Sequence, residues 1–309
     1  IPLIEKYFGE WKEGKVPEFP EYKEEAFNGI ERVNVRMSPI KIGALAFRTV
    51  PTNHKDEVIL SVCSALLSNS SQTGYLDKLS TSGKLMAAFN FDDIKNDHGA
   101  MITIFVPKII GQSLKKAEKL IFTEIQKLYT DEIDDKFFEA IKLNLVKEFQ
   151  QDLEDPTDRA FLIGQAFVID KPWEEVLKLP EEIMAVTKED VRRVASQYFS
   201  ENYLALHSKM GFPKKEKLEK PGFDPIIPEN TEAKSQFAKK FEEIKDEQSK
   251  PEFIDFEKDL IMKFSDNGLT YFHVENKIND IFNIKLKFKY GKLKNSRYEQ
   301  IAEYLSLVG

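Results

Sequence analysis

Residues 84–106, KLMAAFNFDDIKNDHGAMITIFV, decide the fold class. Two apolar runs, 84–91 and 99–106, flank a polar turn at Asp92–His98, and each has the length and composition of a strand. Upstream, Val33, Val35 and Met37 alternate with polar neighbours across residues 30–37, the pattern of a half-buried strand. Residues 40–47 (IKIGALAF) are apolar on both faces beyond Lys41, which predicts a central strand. Between these strands, 55–68 (KDEVILSVCSALLS) reads as a helix with acids in its first turn, where they complement the helix dipole. Downstream the period changes from two to 3.6. Leu114, Ala117, Ile121, Ile125 and Leu128 follow a capping Ser113, and Phe138 to Leu153 mark a second helix ending at Asp155-Pro156. A third helix is expected from about Thr157 to Val168. A fourth follows the capping box Thr187–Asp190 before a last strand at 202–208. Strands, then helices, then a strand make an α+β fold, with one antiparallel-rich sheet covered by helices on one face.

This unit, residues 30–212, does not fill the chain of 309 residues. Residues 1–13 carry Leu3, Ile4, Tyr7, Phe8 and Trp11 in the pattern of a helix end, and 14–29 read as a polar, Pro-containing connector. Residues 213–254 hold five Pro and nineteen Lys, Asp or Glu, the composition of a linker, with a short charged helix expected around Lys234–Gln248. Residues 255–309 then start afresh. Asp259–Phe264 and Leu269–Val274 flank Asn267-Gly268, which predicts a hairpin on a type I′ turn. Ile284, Leu286, Phe288 and Tyr290 alternate with Lys285, Lys287 and Lys289 as a one-sided strand, and 301–307 are helix-like. Both ends look like cuts through a longer protein, so the expected organisation is one whole domain, a linker and a truncated further domain.

Composition excludes several classes. Forty-five Lys and Arg against fifty-two Asp and Glu give a net charge of -7, which argues against a general nucleic-acid surface. No apolar run reaches the roughly 18 residues of a membrane span. A single cysteine, Cys63, excludes an intrachain disulfide framework and a multi-cysteine zinc site. Candidate chemistry is thin. His54 with Glu57 is an H-x-x-E fragment without a second histidine, His98 lies in a polar turn, and His207 and His273 lie within strands. Ser68–Ser71 form a helix-exit loop with no partnered base in view. Asp92-Asp93 and Asp131, Asp134 and Asp135 are acidic clusters that ordinary solvated turns explain as well as an oxygen-ligand cation site does. The Lys285, Lys287 and Lys289 stripe reads as a solvated face. No catalytic constellation emerges, and no residue is assigned a catalytic, metal-binding or substrate-binding role.

Several phrases, in order, resemble the pitrilysin/insulinase family of zinc metallopeptidases, the inverzincins. IEKYFGEWKEG (4–14) looks like the closing helix of that family's first domain. DEVILSVCSALLSNSSQTGYLDKL (56–79), KLMAAFNF, AMITIFV, and VTKEDVRRVASQYFSENYLAL (186–206) resemble its second, non-catalytic domain. FSDNGLTYFHVENKINDIFNIKLKFKYG (264–291) resembles the opening of a further repeat. The resemblance implies α+β domains in tandem around a chamber for unfolded peptides. It places zinc on an H-x-x-E-H helix of a first domain upstream of Ile1, with the motif's Glu as general base on a zinc-bound water. In the further repeat the resemblance sets Gln300 and Tyr304 where that motif has its histidines and Glu303 on its Glu, so this repeat looks degenerate. It likewise sets Ser80 and Ala87 where one later domain of the family carries a substrate-gripping Arg and Tyr.

The expectation is therefore a non-catalytic fragment of a zinc metalloendopeptidase. It would supply chamber wall and inter-half linker, with zinc in the parent and none in the fragment. Its partners would be the remaining domains of its own parent chain and a peptide or unfolded-protein substrate, without nucleic acid. The alternative is part of a zinc-less family member that serves as scaffold or partner subunit. For location, overall resemblance points to the bacterial cell envelope.

Overall fold

The computed structural model describes residues 2–212 apart from 13, 16, 18, 19, 21, 22, 24 and 26, and then residues 222, 230–245, 250, 251, 253, 255–287 and 301. Its elements are α1 (Pro2–Phe8), β1 (Ile30–Ser38), β2 (Ile42–Thr49), α2 (Glu57–Leu67), α3 (Tyr75–Thr81), β3 (Ala87–Ile94) and β4 (Gly99–Val106). Then come α4 (Leu114–Thr130), α5 (Asp135–Glu154), α6 (Pro156–Val168), α7 (Trp173–Val176), α8 (Leu179–Ala185), α9 (Lys188–Tyr198) and β5 (Tyr203–Met210). Beyond these lie α10 (Gln236–Glu242), β6 (Ile261–Phe264) and β7 (Thr270–His273).

Five strands form one sheet in the order β1-β5-β2-β4-β3. The run that is apolar on both faces does become the middle strand. Three of the four pairings are antiparallel, and only β1 runs parallel to β5. The fold class read from the sequence is the observed one. Along β2, Gly43, Leu45 and Phe47 are buried while Ile42, Ala44, Ala46 and Arg48 are half-buried, so one face is covered and the other is not. The covering layer is α2, α4 and α9, with α3 at the β3 end, and α5 and α8 lie outside α2.

Local signals explain where the helices begin. Ser113 accepts from the Lys116 amide, Asp134 from that of Phe137, and Asp155 from those of Thr157 and Asp158, with Pro156 at the first helical position. Thr187 and Asp190 close a reciprocal box at the start of α9. At the core's centre Phe47 is fully buried, its ring centroid 5.1 Å from Tyr203 and 5.5 Å from Phe199. Aromatic rings at these separations add packing energy beyond the area they bury.

Four expectations need correction. The third strand runs to Ile94, because Asp92 and Asp93 pair with Met101 and Ala100; the turn contracts to Lys95–His98, closed by the Lys95 amide on the His98 carbonyl. The helices α3 and α8 were not anticipated, since seven residues are too few to show a period. The hairpin β6–β7 exists, but only Gly268 of its turn has positive φ, at 80°. The Gly268 amide bonds to the Ser265 carbonyl and the Ser265 amide to the Leu269 carbonyl, which is a longer loop in which glycine alone takes the left-handed position. Finally, Ile284–Lys287 form no strand, because they pair with none of the described strands and alternation alone makes no ladder; Phe288 and Tyr290 lie outside the described residues, as do 302–307 of the expected last helix.

The β2–β4 pairing holds a tight contact. Gly43 stands opposite Phe105, and a Cβ on residue 43 would lie 2.1 Å from that ring. Phe105 is fully buried, so it has no room to retreat. Gly43→Ala is expected to destabilise the chain by about 1–3 kcal/mol through overpacking, measured by urea unfolding; a variant as stable as the parent would show the core is looser than described.

Candidate functional site

The covered face of the sheet carries a buried polar network. Glu118 of α4 accepts from Arg32 Nη2 of β1 at 2.7 Å and from the Tyr203 hydroxyl of β5 at 3.0 Å. His207 Nε2 lies 2.9 Å from the other carboxylate oxygen. Burial pushes the His207 imidazole below its ordinary value, and this outweighs the upward pull of the nearby Glu118 charge. A second network joins α2 to α9. Asp56 accepts from Arg193 at 2.9 Å and from the Tyr198 hydroxyl at 3.0 Å. Burial pulls its carboxyl upward, but those two donors prevail and hold it below the usual range. Each network centres on a buried carboxylate whose donors come from other elements, so both tie elements together.

The sequence candidates fall out accordingly. His54 Nδ1 accepts from the Asp56 amide, and Glu57 accepts from the Asn53 amide, so the H-x-x-E fragment is a helix-start structure. His98 sits half-buried in the β3–β4 turn, and His273 is exposed beside Tyr271. Ser68 donates to Asp77 at 2.8 Å and Ser70 to Glu148 at 2.6 Å; neither has an imidazole partner. Asp77, which the sequence reading missed, also accepts from the Asn69 and Gly74 amides and so shapes the whole loop. Its signal was its place three residues after Gly74 at a helix start. Asp131 and Asp134 flank helix ends, and Asp135 pairs with Lys188. Ser80 and Ala87 are half-buried near the start of β3. Lys285 and Lys287 are exposed, whereas Lys289, Gln300, Glu303 and Tyr304 lie outside the described residues. Among the described residues no three His, Cys, Asp or Glu side chains converge to hold a metal, so they do not fit zinc.

What remains is the uncovered face. Strand register sets Val33, Leu206, Ala44, Ile104 and Phe89 in one row across all five strands, with Leu204, Ala46, Ile102 and Phe91 in the next. Val33, Phe89 and Phe91 are each more than two-fifths exposed. At the usual strand spacing this surface is about 19 Å wide. It is apolar apart from Glu31 at one corner and Arg48 and Asp93 along one side. Exposed apolar patches larger than a few hundred Å² are uncommon on monomeric proteins and in general mark contact surfaces.

Residues 1–145 match a family model described as the peptidase M16 inactive domain. No curated protein matches the chain by sequence. Among solved structures, a protease from Helicobacter pylori is 23% identical with a TM-score of 0.62, over 67% of this chain and 51% of that one. An inactive peptidase domain from Bordetella parapertussis is 17% identical with a TM-score of 0.50, over 60% of this chain and 98% of that one. A peptidase M16 inactive domain from Pseudomonas fluorescens is 10% identical with a TM-score of 0.53, over 65% and 49%. The chain thus spans about half the length of the Helicobacter protein. No described helix is long and apolar enough to cross a membrane.

One carboxylate is out of balance with its surroundings. Burial pushes Asp92 up to about 6, with only a Ser64 hydrogen bond pulling it back. An acid whose folded value is raised binds its proton more tightly when folded, so stability falls as pH rises from about 4 through 6. Asp92→Asn should therefore gain about 1–3 kcal/mol on the wild type between pH 4 and pH 8 in paired urea titrations. An equal difference at both pH values would refute the buried, uncompensated charge.

Proposed function

We propose, because residues 1–145 match the peptidase M16 inactive domain, that this chain carries a non-catalytic domain of the pitrilysin family and serves as the passive wall of a larger zinc peptidase. In this reading the zinc and its general base lie in another domain of the parent. Residues 30–212 form the wall, 213–254 the linker between halves, and 255–309 the start of a further, degenerate domain. The observation that carries the reading is the uncovered apolar face from Val33 to Phe89.

The physical logic is that of an unfolded-chain acceptor. An extended peptide cannot bury its own apolar side chains, and a flat apolar sheet face gives them a place without demanding one sequence. Its main chain can in addition pair along the free edge of β3. The exposed residues of α1 and of the turn after it, among them Ile4, Phe8 and Trp11, are consistent with a preceding domain seated on them. The zinc-less scaffold reading predicts the same fold and differs only in the missing domain.

The test uses the 309-residue chain and a fluorescein-labelled, reduced and carboxymethylated protein as the unfolded ligand. Weak saturable binding by anisotropy is expected, reduced at least fivefold by the pair Phe89→Asp and Ile104→Asp, with circular dichroism verifying the fold. Binding that ignores the pair, or no binding at all, sinks the wall reading. In the full-length parent the same pair should raise KM for unfolded peptides more than it lowers kcat.

A further inference from the structure

Between α2, β3 and α5, on the helix side of the sheet, lies a half-open cleft of about 210 Å³. Asp92 stands on one wall and Glu148 on the other, with Ser64 and Asn144 between, while Ala65, Ile141 and Leu145 supply apolar surface. None of its lining residues is Lys, Arg or His. The cleft is thus apolar in part, twice negatively charged, and without a cation of its own.

Two further observations show acceptors in the cleft and beside it that are short of donors. Asp92 takes a hydrogen bond from Ser64 and has no positive group among the influences on its charge. Its neighbour two residues back on the same strand face, Asn90, donates its amide to Ser64 at 2.6 Å but keeps its own amide oxygen buried and unpartnered. Buried acceptors without donors are costly, and a ligand that brings donors and positive charge removes the cost. Glu148 is held in place for such a ligand by the hydroxyl of Ser70 and the amide of Asn144, at 2.6 and 2.9 Å.

We propose that this cleft is a recognition pocket for a lysine or arginine side chain presented by another polypeptide segment. The stem of such a side chain lies along Ala65, Ile141 and Leu145, and its charged head reaches the carboxylates and hydroxyls. A bare metal ion suits it less well, because apolar residues make up part of its wall and hard cations take oxygen ligands all round. The pocket is independent of the wall reading. Asp92 faces the helices, whereas Phe89 and Phe91 face the opposite side of the sheet.

The probes are agmatine and Nα-acetyl-lysine methylamide, titrated into the isotope-labelled 309-residue chain by two-dimensional NMR. Nα-acetyl-norleucine methylamide is the uncharged control, and calcium chloride the metal arm. Saturable shifts are expected around Ser64, Asp92 and Asn144, with Kd in the millimolar range proper to a single side chain. Glu148→Gln and Asp92→Asn should each weaken the probes at least tenfold, with unchanged unfolding midpoints showing that Glu148→Gln has not simply lost its fold. Four results overturn the proposal: no saturable shift, norleucine binding as tightly as lysine, variants that bind normally, or calcium binding at least tenfold tighter than either amine. Failure here leaves binding at the opposite sheet face untouched, since the variants used there and here do not overlap.

Discussion

A carboxylate buried beneath a parallel strand pair holds this architecture together. Glu118 is almost wholly inside, and an ionised group there costs several kcal/mol unless it is paired and hydrogen-bonded. Its partners come from β1 and β5, the only parallel pair in the sheet. Arg32 therefore has to lie where the parallel register places it, opposite Ala205, for the charge on α4 to be met. The first strand of the domain and its last are fixed to one helix by a single side chain. Apolar packing alone would leave β1 poorly determined, since four of its first six residues are exposed, two are half-buried and none is buried.

The network also accounts for the asymmetry of the sheet. Charge and aromatic mass are concentrated on the covered side: Glu118, His207 and Tyr203 there, then Phe47 with Phe199 and Phe122 around it. The other side carries aliphatic and aromatic residues with no helical layer over them among the described residues. A domain that needed only to be stable would place polar residues there, in the alternation usual for an antiparallel sheet with one wet face. The residues at 44, 46, 102, 104, 204 and 206 depart from that pattern in three adjacent strands. The departure is the physical ground for the proposed contact role of this face.

Much of this was legible in the sequence, and the failures have physical causes. Periodicity located α2, α4, α5, α6 and α9 because each has a stripe or a cap, and double-sided apolarity located β2 as the centre. The parallel placement of β1 was not legible, since strand alternation says nothing about direction or neighbour. The Asn-Gly pair at 267–268 marked a hairpin correctly, but Ser265 took the local backbone bonds and changed the turn. The short helix at Tyr75–Thr81 hid in a polar stretch, and the aspartate that organises it looked like any other surface acid. The uncovered face was present as apolar strands, yet only the sheet order showed which of their residues share it.

The treatment of Asp92 shows what sequence reading loses at a strand end. Two adjacent acids suggest solvent, and in isolation Asp92-Asp93 is a good turn. Pairing with a strand already committed through Gly99, Ala100 and Met101 extends the ladder by three residues, and alternation then sends one carboxylate inward and the other outward. Asp93 finds Lys95 at 2.6 Å near the surface, whereas Asp92 enters a space lined by α2 and α5 where no base awaits it. Glu148 is 56 residues away in sequence, so no motif joins the two acids. The same burial that raises the proton affinity of Asp92 makes the cleft electrostatically unfinished. Glu118 and Asp56 each have an arginine within hydrogen-bonding reach, and Asp77 has three donors from its own loop, which leaves this cleft as the place where the covered side of the domain asks for a partner.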